Sequence, residues 1–142
     1  MRKFFLAICV VGLCSFCVFS QEARIYRNMQ EALKEPENVT ILDFSNVMTE
    51  IPKTIGKLVN LRELRMPRHK LVSLPKEISS LVNLEVANFE TNKIIGLPKE
   101  IGKCKSLRIL NLSDNRLVEW PVEIDNLKNL EHLNLSKNLI TT

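Results

Sequence analysis

The sequence predicts an α/β repeat solenoid, with parallel strands lining an inner face and short 3-10 or helical turns on the outer face. Three observations predict it. Pro52, Pro75, Pro98 and Pro121 recur every 23 residues, each behind a large apolar residue (Ile51, Leu74, Leu97 and Trp120). The same step carries further apolar columns in register, among them Ile55, Ile78, Ile101 and Ile124, then Leu64, Ala87, Leu110 and Leu133. Each unit also contains a pair such as Leu110 and Leu112, which alternates with the side-chain period of a strand. A fixed step of this size marks stacked units that cannot bury their apolar faces singly and are stabilised by their neighbours.

Residues 1–20 read as a secretory signal. Arg2 and Lys3 supply the positive start, Phe4 to Phe19 carries no charge, and the small Val18 and Ser20 place cleavage before Gln21. An uncleaved anchor is the alternative, but the stretch falls short of the roughly 20 apolar residues that a membrane span needs. Lipidation is the third reading. Cys9, Cys14 and Cys17 follow Ile8, Leu13 and Phe16 rather than a small residue.

Residues 21–50 read as an N-terminal helix-strand cap. In 22–34, Ile25, Met29, Ala32 and Leu33 share one helical face, and Pro36 ends the helix. Val39 to Phe44 then reads as a strand with Leu42 and Phe44 inward. Phe44 to Ile51 is one step shorter than Met66 to Leu74 and its later equivalents, so the first turn should tighten or bulge. Four repeats follow, at 51–73, 74–96, 97–119 and 120–142. Each opens with a Pro suited to the first turn of a helix. Each ends with an Asn column (His69, Asn92, Asn115, Asn138), whose amides can both accept and donate to backbone groups left by the turning chain. No C-terminal cap is expected. Leu130, Leu133, Leu135 and Ile140 would lack a neighbour, and the strand near 131–136 would be an open edge. Self-association, a covering partner and a truncated gene each account for that end.

The string Leu110-Asn111-Leu112-Ser113-Asp114-Asn115-Arg116-Leu117 matches the leucine-rich repeat signature L-x-L-x-x-N-x-L. With Leu97-Pro98-Lys99-Glu100-Ile101-Gly102 and Leu107 to Leu112, the unit resembles the 23-residue repeats of secreted leucine-rich repeat proteins of leptospiral spirochaetes. The resemblance spans residues 22–142. It implies stacked Asn ladders, a binding role for the strand-lined inner face, and a secreted, outer-surface or periplasmic location with a host-interface role.

Composition narrows the function. Without residues 1–20, eighteen Lys and Arg stand against sixteen Asp and Glu, too even a balance for a nucleic-acid partner. Cys104 is the single cysteine after the signal, which leaves neither an intrachain disulfide nor a Cys-based zinc site. It falls in a leucine column and reads as an inert core thiol. The two histidines, His69 and His132, lie in different columns, and there is neither a phosphate loop nor a nucleophile elbow. No catalytic residue, cofactor or metal site is therefore expected, and the chain reads as a binding module rather than an enzyme. The candidate partner-binding inner face comprises Arg65, Val86, Asn88, Ile109, Asn111, His132 and Asn134. Val86 and Ile109 give it an apolar spot with a polar rim, the composition of a protein interface. An unidentified protein, such as a host extracellular or cell-surface protein, is the expected partner. The alternative is a structural protomer that forms homo-oligomers through its C-terminal edge. The column Arg62, Glu85, Arg108 and Glu131 reads as a charge ladder that fixes strand register, not as a site.

Overall fold

In the computed structural model, residues 23–141 are described. The signal read at residues 1–20 lies outside them. Six short strands form one parallel sheet in chain order: β1 (Ile25–Tyr26), β2 (Ile41–Asp43), β3 (Glu63–Arg65), β4 (Val86–Asn88), β5 (Ile109–Asn111) and β6 (His132–Asn134). Register follows the 23-residue step. Leu64 pairs with Ala87, Ala87 with Leu110, and Leu110 with Leu133, so the leucine column becomes one inward row.

The opposite wall is a stack of 3-10 turns at Lys53–Lys57, Lys76–Ser80, Lys99–Lys103 and Val122–Asn126. The prolines set them up. The carbonyls of Pro52, Pro75, Pro98 and Pro121 accept the N–H of Ile55, Ile78, Ile101 and Ile124 at 2.9–3.1 Å, the i to i+3 spacing of a 3-10 turn. Each isoleucine points into the core. Successive turns pack closely at small residues. A Cβ added to Gly102 would stand 3.0 Å from Asn126 Cβ, so glycine is needed there for the approach.

Between the walls lies one continuous apolar core that includes Leu58, Leu61, Leu81, Leu84, Phe89 and Leu107, all fully buried. Burying a side chain of this kind contributes roughly 1.5–3 kcal/mol. Cys104 occupies its column as expected. Its thiol donates to the Ile78 carbonyl at 3.3 Å, and burial pushes its pKa up to about 11.

The N-terminal cap departs from the helix expected over 22–34. Helix α1 spans only Met29–Ala32, and Ile25 and Tyr26 form β1 instead. Asn28 decides the boundary: its backbone is extended (φ −153°, ψ 156°), and its Oδ1 accepts the Glu31 N–H at 2.8 Å as an N-cap. Before it the side chains alternate with a period of two. Tyr26, in register with Leu42, is buried at 2% exposure, whereas Ile25 is 40% exposed rather than part of an apolar helix face. Strand β2 is likewise shorter than the stretch expected from Val39 to Phe44.

After each of β3 to β6 the chain turns through one left-handed residue: Arg68, Thr91, Asp114 and Lys137, with φ of 55–60°. The first turn, one residue shorter, reverses without one. At the C-terminal end Leu130, Leu133, Leu135 and Ile140 are only partly buried, and Trp120 is 50% exposed where Leu74 is 5%.

Candidate protein-binding face

Strand pairing brings the seven candidate residues onto one surface. Glu63, Val86, Ile109 and His132 are successive partners in one row, and Arg65, Asn88, Asn111 and Asn134 are partners in the next. The inward residue between the rows (Leu64, Ala87 or Leu110) is buried, so the flanking residues face outward. Val86 is half-buried and Ile109 is 39% exposed.

The polar members are more constrained than their residue types imply. Arg65 forms a two-pronged pair with Glu63 (Nε to Oε1 2.7 Å, Nη2 to Oε2 2.9 Å), with Asp43 at 4.0 Å. The Glu63 hydrogen bond is the main cause of the raised Arg65 pKa. This end of the face presents one cation held between two carboxylates, a net charge of −1, rather than a free cation. Asn88, Asn111 and Asn134 each accept an N–H from two residues on (Glu90, Ser113, Ser136) at 3.0 Å. Their oxygens thus hold the turn, and their amide N–H groups remain as donors. Ser113 is buried, with its hydroxyl donating to Asn111 Oδ1 at 2.7 Å.

Beside this face runs the ladder. Asn92 Oδ1 accepts the Leu71 N–H and Asn115 Oδ1 the Ile94 N–H, both at 3.0 Å. Asn92 Nδ2 donates to the carbonyls of Met66 and Phe89, and Asn115 Nδ2 to those of Phe89 and Leu112. His69 supplies only the accepting half: its Nδ1 takes the Met48 N–H at 3.0 Å, which fixes the proton on Nε2. The ladder is imperfect in the first unit, where an imidazole stands in place of an amide. Burial lowers the His69 pKa, and Asp43 partly opposes it. The ring is committed to a backbone group, and His132 lies on another face of the chain. Among the described residues no group of three His, Cys, Asp or Glu side chains is placed to hold a metal ion.

A family model for the leucine-rich repeat region matches residues 13–141. The chain belongs to the leucine-rich repeat family. Among solved structures it is similar to a leucine-rich repeat protein of Leptospira interrogans, with a TM-score of 0.73 and 31% identity over 84% of this chain and 42% of that one. It is also similar to an internalin of Listeria monocytogenes, with a TM-score of 0.59 and 21% identity over 72% of this chain and 30% of that one, a likeness of fold alone. The chain thus spans less than half the length of either protein. No curated protein matches it.

This leucine-rich repeat carries a second ladder that sequence reasoning missed. Asn60, Asn83, Ser106 and Asn129 donate to the carbonyls of Glu37, Val59, Val82 and Lys105 at 2.7–3.0 Å, each reaching into the preceding unit. The 23-residue recurrence of Asn60, Asn83 and Asn129 was its available signal. Next to it the charge ladder forms in pairs: Arg62 to Glu85 at 3.0 Å, and Arg108 to both oxygens of Glu131 at 2.8 Å.

Proposed function

We propose that this leucine-rich repeat chain is an exported protein-binding module whose strand-lined face engages a protein at the bacterial surface or the host interface. One observation carries the reading. Val86 and Ile109 are adjacent partners on a sheet face that needs no apolar side chains for its own stability, since the buried row lies on the other side. Around them are the amide donors of Asn88 and Asn111, the neutral Arg65–Glu63 pair and His132. An apolar centre with a hydrogen-bonding rim and little net charge suits another protein surface better than a nucleic acid or a small ion.

The signal-like segment supports export. The test has two parts. Mass spectrometry of the protein recovered from the producing bacterium should give an N-terminus at Gln21, outside the cytoplasm. Surface plasmon resonance against immobilised host matrix and cell-surface proteins should give saturable binding that Ile109→Glu weakens by about tenfold or more. Binding unaffected by Ile109→Glu would move the site off this face. No saturable binding to any surface component would refute the binding role.

A further inference from the structure

The flank where the chain leaves the sheet bears a second unexplained surface. Val72, Ile95 and Val118 stand one repeat apart and are 47%, 60% and 51% exposed. Beside them run Lys70, Lys93 and Arg116, all exposed and in no ion pair among the described residues. The residue between each cation and its aliphatic neighbour (Leu71, Ile94 or Leu117) is buried, so both flanking side chains are directed outward. Backbone bonds hold the rungs together: Lys93 N–H to Leu71 O at 2.8 Å, Arg116 N–H to Ile94 O at 2.9 Å, and Ile95 N–H to Val72 O at 3.2 Å. The two rows cover three rungs: at either end the cation position is taken by Val47 or Leu139, 64% and 59% exposed, and the aliphatic position by Thr49 or Thr141.

No ladder, turn or core contact requires these side chains. We propose that this flank is a docking track for an acidic amphipathic helix of a protein partner, lying along the solenoid axis. The cations require an anionic partner, and the aliphatic row requires an apolar one. Spacing selects the helix. Rungs repeat about every 4.8 Å, and a helix presents one apolar residue per turn of about 5.4 Å. Over the two steps from Val72 to Val118 the mismatch is about 1 Å, within side-chain adjustment. An extended strand repeats a face about every 6.7 Å and would slip by nearly a full rung over the same distance. Width agrees. The two rows are two residues apart, at most about 7 Å, and fit under one helix of about 10–12 Å diameter. A flat anionic membrane is disfavoured because exposed Asp114 and Glu119 flank the Arg116–Val118 rung on either side. A bilayer would meet both carboxylates, whereas a helix seated between them would not.

The probe is a fluorescein-labelled, end-capped peptide of about 14 residues, with Leu at i, i+3, i+4 and i+7 and Glu along one flank. Fluorescence anisotropy with the purified protein should give saturable binding, at least about tenfold tighter than for the same peptide with Lys in place of Glu. Ile95→Asp should weaken it by about tenfold. The double variant Lys93→Glu, Arg116→Glu should reverse the preference between the two peptides. All three positions are exposed, and an unchanged thermal transition confirms folding of each variant. Equal binding of the two peptides, or no effect of both variants, would overturn the proposal. So would co-sedimentation with phosphatidylserine-containing vesicles in the absence of peptide binding.

Discussion

Truncating the asparagine ladder should not cost the same at every rung, and the difference can be worked out bond by bond. In Asn115→Ala the Ile94 N–H loses its acceptor. The carbonyls that Asn115 served keep other donors: Phe89 O retains Asn92, Leu112 O retains Asn138, and Ser113 O retains the Thr91 N–H. One buried group is orphaned, at about 1–3 kcal/mol. In Asn92→Ala the Leu71 N–H is orphaned in the same way, but so is the Met66 carbonyl, whose bond among the described residues comes from Asn92. An asparagine at position 69 would have given that carbonyl a second donor, and His69 does not. Asn92→Ala should therefore cost about 2–6 kcal/mol, exceeding Asn115→Ala by about 1–3 kcal/mol. Urea denaturation followed by circular dichroism reads the gap as a midpoint difference of about 1 M, given m-values of about 1–3 kcal/mol/M. His69→Asn should supply the missing donor and close most of the gap, which a double-mutant cycle measures. Equal costs for the two alanine variants, or a gap unchanged in the His69→Asn background, would refute this account.

Three further outcomes follow from the same structure. His69 has a depressed pKa, so the folded chain holds fewer protons than the unfolded one below the ordinary value of 6.5. Its stability contribution is present above that pH and is lost as pH falls through the folded pKa; urea midpoints should drop on acidification, by less in His69→Asn, and identical pH profiles would contradict it. Cys104, with its pKa pushed up to about 11, should resist a disulfide reagent in the protein begun at Gln21 at about pH 8, reacting only as fast as the chain opens. Rapid native labelling would show that the thiol is not buried. Gly102→Ala should destabilise by about 1–3 kcal/mol through crowding against Asn126 Cβ, despite alanine's better helical propensity. A stabilised variant in thermal unfolding would mean that the turn stack yields easily.

The repeats were legible because each unit repeats the same physical demand four times. A leucine that must face inward, a proline that must open a turn and an amide that must satisfy a carbonyl all recur at one step, and the recurrence exposes them. The cap occurs once and has no second copy to average against. There Ile25, Met29, Ala32 and Leu33 matched a helical stripe, although Asn28 was already a good N-cap for a later start and Tyr26 a better strand residue than a helix-surface one. The inner face was legible as a set of positions, because strand alternation fixes which side chains point outward. The state of those side chains was not. Nothing in the residue types shows that Glu63 would occupy Arg65, or that the amide oxygens of Asn88 and Asn111 would fold back onto their own turns.

Uniform and varied columns carry different information in such a chain. Columns that bear the fold are nearly constant, as with Ile55, Ile78, Ile101 and Ile124, because each rung meets the same packing. The outward row Ile41, Glu63, Val86, Ile109 and His132 changes character at almost every rung. Backbone pairing is equally satisfied whatever side chain stands there, so the fold sets no preference, and the mixture is free to match a shaped partner. The flank row is the opposite case. Across the three central rungs, Val72, Ile95 and Val118 beside Lys70, Lys93 and Arg116 are uniform where neither the core nor a ladder requires uniformity. A periodic partner is the physical condition under which a periodic exposed surface is useful, and a helix laid across the rungs has nearly the right period. The two surfaces should therefore respond to different perturbations: the inner face to single substitutions at Val86 or Ile109, and the flank to charge reversal along its whole cationic row.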